Sequence, residues 1–135
     1  MLTAAAFVAS FVPMLFYTAI LSCFSRHARP PLLLLAAAFL WGALPAVALA
    51  RALESLAHIP FLSLVEADRV KSALFVPLIE EGCKALGLVG LLLWRPKELN
   101  APTAGLIYGG SIGLGFGAAE NVSYFTATYQ EMGGA

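Results

Sequence analysis

Four stretches of this 135-residue chain are apolar over about 20 residues each, and they limit the possible folds more than any other feature. A helix needs about 20 residues to cross a hydrocarbon core about 30 Å thick, and in lipid its backbone must satisfy its own hydrogen bonds. The sequence therefore predicts an all-α, polytopic membrane helix bundle with about four transmembrane helices. The predicted spans are residues 2–24, 32–50, 73–94 and 104–126.

Composition agrees with a membrane protein. Hydrophobic residues make up 60% of the chain and charged residues 12%, with a mean hydropathy of +0.84. The net charge is zero and no run of Lys or Arg is present, which excludes a nucleic-acid partner. We expect one integral-membrane domain over residues 1–135, with the lipid bilayer as its surroundings.

The short connections predict the orientation, because cytoplasmic loops collect Lys and Arg. Arg26 and Arg29 separate the first two spans, and Arg95 and Lys97 separate the last two. Both loops fall on the same side of a four-span arrangement. Both termini are therefore expected outside.

The longer connection, residues 51–72, balances its charges and carries apolar side chains, so we interpret it as one or two interfacial helices broken at Pro60. Lone loop histidines and cysteines in apolar stretches are usually structural. No role is therefore assigned to these four residues: His27, His58, Cys23 and Cys83.

Three ionisable residues, Glu80, Glu81 and Lys84, interrupt the third span. An acidic side chain at the centre of a membrane helix costs roughly 3 kcal/mol, and such residues are usually functional. At about 100° per residue, Lys84 lies angularly between the two acids and can pair with Glu80 at i+4 or Glu81 at i+3. Because the span contains one lysine and two acids, one carboxylate has no cation to pair with. This favours a functional site over a simple link between helices.

The fourth span places glycines at four-residue spacing, followed by Glu120 and Asn121. Small residues at this spacing let membrane helices approach closely. We expect a packing groove on the face that also carries Glu120. The groove residues are Gly109, Gly113 and Gly117.

The predicted depths of two acids in the membrane support a shared polar chamber. Glu80 lies seven residues from the outer end of its predicted span, and Glu120 lies six from the outer end of its own. At 1.5 Å per residue, each acid is about 10 Å deep. The two acids are therefore expected at one level, near the outer leaflet.

Two motifs then suggest a family. Residues 80–84 read EEGCK, which fits EExxK, and residues 116–121 read FGAAEN, which fits FxxxEN after a glycine-rich lead. Together they resemble the PrsW family of intramembrane proteases, relatives of the CAAX-protease and bacteriocin-processing membrane enzymes. The resemblance covers roughly residues 73–126.

The resemblance implies a multi-pass protease of the prokaryotic plasma membrane, which cuts membrane-spanning proteins such as anti-sigma factors in stress signalling. By this analogy Glu80 and Glu81 are catalytic, while Lys84, Glu120 and Asn121 support them. Such enzymes look to later helices for histidines, whereas this chain has none after His58. We therefore expect it to be the N-terminal part of a larger enzyme; the alternative is a natural short relative that has lost activity.

Peptide hydrolysis needs a base for water, an acid for the leaving amine and a donor for the oxyanion. Glu80 and Glu81 can divide the first two duties, one protonated and the other ionised near Lys84. The expected oxyanion donor is Asn121 or a histidine from a later helix. No cofactor is expected, and a divalent metal bound by Glu and His is the less favoured alternative.

Two other function classes remain open at this point. An ion- or proton-coupled transporter would use the same acids to line a path. A non-catalytic assembly partner would depend on the glycine groove rather than on the acids. Homo-oligomerisation is compatible with all three classes.

Overall fold

The computed structural model describes residues 2–23, 30–57 and 74–132. All regular structure in these residues is helical, which confirms the all-α prediction. Within these three ranges the α-helices are α1 (Leu2–Cys23), α2 (Leu32–Trp41), α3 (Val47–Ala57), α4 (Val76–Trp94) and α5 (Pro102–Glu131). A π-helical segment, Gly42–Ala46, joins α2 to α3, and a 3-10 turn, Pro96–Leu99, joins α4 to α5.

Helices α2 and α3 form one continuous rod, with Pro45 inside the π-helical segment. Proline has no N–H to donate, and its ring collides with the carbonyl four residues earlier, so a local π-turn is a common accommodation. By length and composition, Leu32–Leu56 of this rod and Ala4–Cys23 of α1 could each cross a membrane.

The rod is longer than the sequence analysis predicted. The second span was expected to end at residue 50, whereas α3 continues to Ala57. Arg51 and Glu54 therefore lie on the continuation of this rod. The sequence analysis assigned them to a separate interfacial helix, but they fall in helical phase with the apolar residues that precede them, so the helix continues. The proposed break at Pro60 and both histidines lie outside the described residues.

Helix α5 occupies the centre of the described bundle and packs against α1, α2, the π-helical segment and α4. Its inner side buries Tyr108, Ile112 and Phe116, each at most 2% exposed. Phe116 joins a cluster with Ala50 of α3 and Cys83 of α4. This cluster holds three helices together at the level where the ionisable residues begin.

The closest backbone approach joins α5 to α2 and the π-helical segment. A Cβ added to Gly42 would collide with the carbonyl of Ile112, and one added to Gly115 would collide with the carbonyl of Phe39. Only glycine permits such contact at both positions. Ser111, one turn before Gly115, is completely buried on the same side.

The three expected groove glycines are packed more loosely. A Cβ on Gly109 would lie 3.9 Å from Leu88, and one on Gly117 would lie 4.0 Å from Met14. A Cβ on Gly113 would have no described neighbour within 4 Å. The tight crossing is thus made by another set of small residues on the same helix.

Trp41 joins α2 to α4 beside the ionisable residues. Its indole Nε1 donates a hydrogen bond of 3.2 Å to the carbonyl oxygen of Cys83. Gly87 leaves the space that the indole occupies, because a Cβ there would meet the ring. This contact fixes the backbone immediately before Lys84.

Candidate functional site

The three ionisable residues of α4 form a compact charged group. Lys84 Nζ lies 2.8 Å from Glu81 Oε1 and 3.7 Å from Glu80 Oε2. Both pairings expected from helical spacing are therefore present. The side chains of Lys84 and Glu80 are 18% and 22% exposed, whereas that of Glu81 is 72% exposed.

Helix α5 helps to fix the lysine. Lys84 Nζ lies over the Phe116 ring, 4.0 Å from its centroid. The face of an aromatic ring attracts a cation, and the attraction strengthens when the pair is shielded from water. Lys84 thus links the acids of α4 to a buried residue of α5.

A cavity of about 320 Å³ opens between α3, α4 and α5. Its polar lining comes from all three helices: Arg51 and Glu54 from α3, Glu80 from α4 and Glu120 from α5. Apolar side chains complete the wall, namely Val47, Ala50, Val76, Phe116 and Tyr124. The site is therefore a partly apolar chamber containing three carboxylates and a guanidinium group.

The cavity brings together some of the predicted site residues and leaves others out. Glu80 and Glu120 share its wall, and Lys84 contacts two of its members, Glu80 and Phe116. Glu81 and Asn121 are not among its lining residues. The two adjacent acids of α4 therefore have different surroundings.

The sequence analysis did not select two polar residues of the cavity, Arg51 and Glu54, because it assigned them to an interfacial helix outside the membrane spans. Their signal was nevertheless in the sequence: Val47, Ala50, Arg51 and Glu54 follow the i, i+3, i+4, i+7 spacing of one helix face. A hydrogen bond of 2.9 Å runs from Arg51 Nη2 to the Ser123 hydroxyl. It ties α3 to α5 across the cavity.

The cavity lies towards one end of the bundle. Glu80 is four residues from the start of α4, and Glu120 is eleven from the end of α5. The basic turn with Arg95 and Lys97 follows the opposite end of α4. The acids and the basic turn are thus separated by most of the length of α4, about 20 Å at 1.5 Å per residue.

Chemically, a chamber of this kind can hold and activate water. Carboxylates accept hydrogen bonds from a water molecule and can remove its proton. A nearby guanidinium supplies several N–H donors and a permanent positive charge. Apolar walls exclude bulk water and strengthen both effects.

Comparison with known proteins identifies one family. A model described as PrsW family intramembrane metalloprotease matches residues 30–135. The matched region begins after α1 and includes every residue of the cavity. No curated protein and no solved structure matches the chain.

The family description implies a metal, which would need several ligating side chains close together. A protein zinc site takes at least three ligands from His, Cys, Asp or Glu. Three carboxylates line the cavity, yet residues 2–23, 30–57 and 74–132 gather no group of three such side chains able to hold an ion. These residues alone do not fit a metal centre.

Proposed function

The chain belongs to the PrsW family of intramembrane proteases, and from that premise we propose that its cavity hydrolyses peptide bonds of membrane-associated proteins. The observation that carries the proposal is the meeting of Glu80 and Glu120, from different helices, in one partly apolar cavity. Family membership favours this function over a transporter or a non-catalytic assembly partner.

Glu80 acts as the general base. It takes a proton from water while the water oxygen bonds to the peptide carbonyl carbon, and the π electrons of the C=O bond move to its oxygen. Glu80 passes the proton that it holds to the nitrogen as this intermediate collapses. The C=O bond re-forms and the C–N bond breaks, so that the products are a carboxylic acid and a neutral amine.

The other acids have supporting duties. Glu120 accepts a second hydrogen bond from the attacking water and orients it towards the substrate. Glu81 holds Lys84, to which it is bound at 2.8 Å. Lys84 in turn lies 3.7 Å from Glu80 and balances its charge. This division follows from the lining of the cavity, which includes Glu80 but not Glu81.

The substrate is a membrane-spanning protein, and anti-sigma factors are the class that we propose. The enzyme is multi-pass in the plasma membrane of a prokaryotic cell. The basic turn of Arg95 and Lys97 supports a cytoplasmic location for that end of the bundle, and with it a cavity near the outer leaflet.

The test uses the protein reconstituted in lipid vesicles with a reporter that contains one membrane-spanning segment. We expect cleavage by the wild type and none above background by Glu80→Gln, which preserves shape and removes the base. Glu98→Gln is the matched control, because Glu98 lies on the 3-10 turn outside the cavity. Undiminished cleavage by Glu80→Gln would overturn the proposal.

A further inference from the structure

Amide hydrolysis places negative charge on the carbonyl oxygen, and the cavity needs a donor for it. Asn121 was the expected donor, but it does not line the cavity. Among the lining residues that the structure describes, Arg51 is the cation. We propose that Arg51 is a further catalytic residue, which binds the carbonyl oxygen of the scissile peptide bond. This inference rests on the proposed function.

The charge of Arg51 is available for a substrate. Within the described residues, no carboxylate lies within 4 Å of its guanidinium, and the two ion pairs found there both belong to Lys84. Arg51 instead donates to a neutral partner, the hydroxyl of Ser123. A guanidinium has five N–H donors, so this bond leaves others to face the cavity.

The hydrogen bond to Ser123 also fixes where the guanidinium lies. Ser123 is on α5, 72 positions further along the chain, and its hydroxyl donates back to the Ala119 carbonyl at 3.4 Å. The serine is therefore held by its own helix while it accepts from Arg51. A donor positioned before the substrate arrives needs little rearrangement when the charge develops, which is what makes it effective.

The arrangement also suits the shape of the substrate. The cavity volume of about 320 Å³ is at the lower end of the range for small-molecule sites, about 300–1,000 Å³, and is enough for one peptide unit and a water molecule. Glu80 and Arg51 come from different helices on its wall. A peptide carbonyl between them would present its carbon to the activated water and its oxygen to the guanidinium.

A purely structural role for Arg51, as the link between α3 and α5, makes a different prediction. If the link is what matters, any donor to Ser123 suffices, and removal of the serine hydroxyl should be as harmful as removal of the arginine. If the charge matters, the guanidinium is needed even where the link survives. Arg51→Gln and Ser123→Ala separate these cases, since glutamine keeps an N–H donor and loses the charge, whereas alanine at 123 removes the link and keeps the charge.

The experiment measures kcat and KM for reporter cleavage in vesicles, with the melting temperature of each variant in detergent. We expect Arg51→Gln to lower kcat by about 10²–10³-fold with little change in KM, as for loss of an oxyanion donor. Ser123→Ala should lower kcat by a much smaller factor, because the guanidinium loses its fixed partner but keeps its charge. Arg95→Gln is the matched control, since that arginine lies beyond the other end of α4.

Chemical rescue provides a second measurement, because added guanidinium ion should not restore kcat to a variant that is inactive through misfolding. We expect added guanidinium ion to restore part of the kcat of Arg51→Ala and to leave Glu80→Gln inactive. A wild-type kcat in Arg51→Gln, or an inactive Ser123→Ala beside an active Arg51→Gln, would overturn the inference. An active Arg51→Gln beside a fully active Glu80→Gln would refute the proposed function. An active Arg51→Gln beside an inactive Glu80→Gln would refute only the role of Arg51.

Discussion

The ammonium nitrogen of Lys84 lies 4.0 Å from the centroid of the Phe116 ring, so a cation of α4 is held by a buried aromatic residue of α5. The same nitrogen contacts both adjacent acids of its own helix. The ring thus fixes the point from which the lysine acts on Glu80 and Glu81. The geometry of the charged group depends on a neighbouring helix as well as on spacing along α4.

Replacement of this lysine by methionine should inactivate the enzyme while the fold persists. Methionine keeps an unbranched stem over Phe116 but leaves the two acids of α4 without their described cation. We expect kcat to fall by about 10²-fold or more, the scale of an impaired general base. Reporter cleavage in vesicles measures this, with Lys84→Arg as the charge-retaining comparison. Full activity in Lys84→Met would contradict the role given to Lys84.

The helix crossing can be tested with two alanine substitutions on one helix. Gly115→Ala places a methyl group against the carbonyl of Phe39, whereas Gly113→Ala meets no described atom within 4 Å. We expect the first to destabilise the protein by about 1–3 kcal/mol, the usual cost of overpacking. The second should be neutral. Melting temperatures in detergent provide the measurement, and equal values for the two variants would refute the described crossing.

The link between Trp41 and Cys83 predicts a modest and specific loss of stability. Trp41→Phe retains an aromatic ring but removes the N–H that donates to the Cys83 carbonyl. We expect destabilisation by about 1 kcal/mol, the net contribution of a typical hydrogen bond. Trp94→Phe is the control, since Trp94 is 68% exposed at the end of α4. A larger drop in melting temperature for the control would show that the Trp41 contact is unimportant.

Much of this architecture could be predicted from the sequence, because its signals are local. Apolar length indicated the helices, and helical spacing placed Lys84 between Glu80 and Glu81. The depth of Glu80 and Glu120 along antiparallel helices predicted that they lie at one level, and both line the cavity. Each of these inferences needs only the geometry of a single helix and the thickness of a membrane.

The remaining features depend on which neighbour a helix face meets. Helix α5 carries two rows of small residues, one through Gly113 and another through Ser111 and Gly115, and spacing alone does not show which row packs against a neighbouring helix. In the structure, the second row contacts the backbone of α2. The charges of Arg51 and Glu54 likewise led to their assignment to a separate interfacial helix, because charged residues usually mark the end of a membrane span.

The central claim is that Glu80, the acid of the α4 pair that lines the cavity, is the general base of the reaction. Side-by-side kcat measurements of Glu80→Gln and Glu81→Gln, in vesicles with one membrane-spanning reporter, test it most directly. We predict a fall of about 10²-fold or more for Glu80→Gln and a much smaller one for Glu81→Gln, because only Glu80 lines the cavity. An active Glu80→Gln beside an inactive Glu81→Gln would contradict the account.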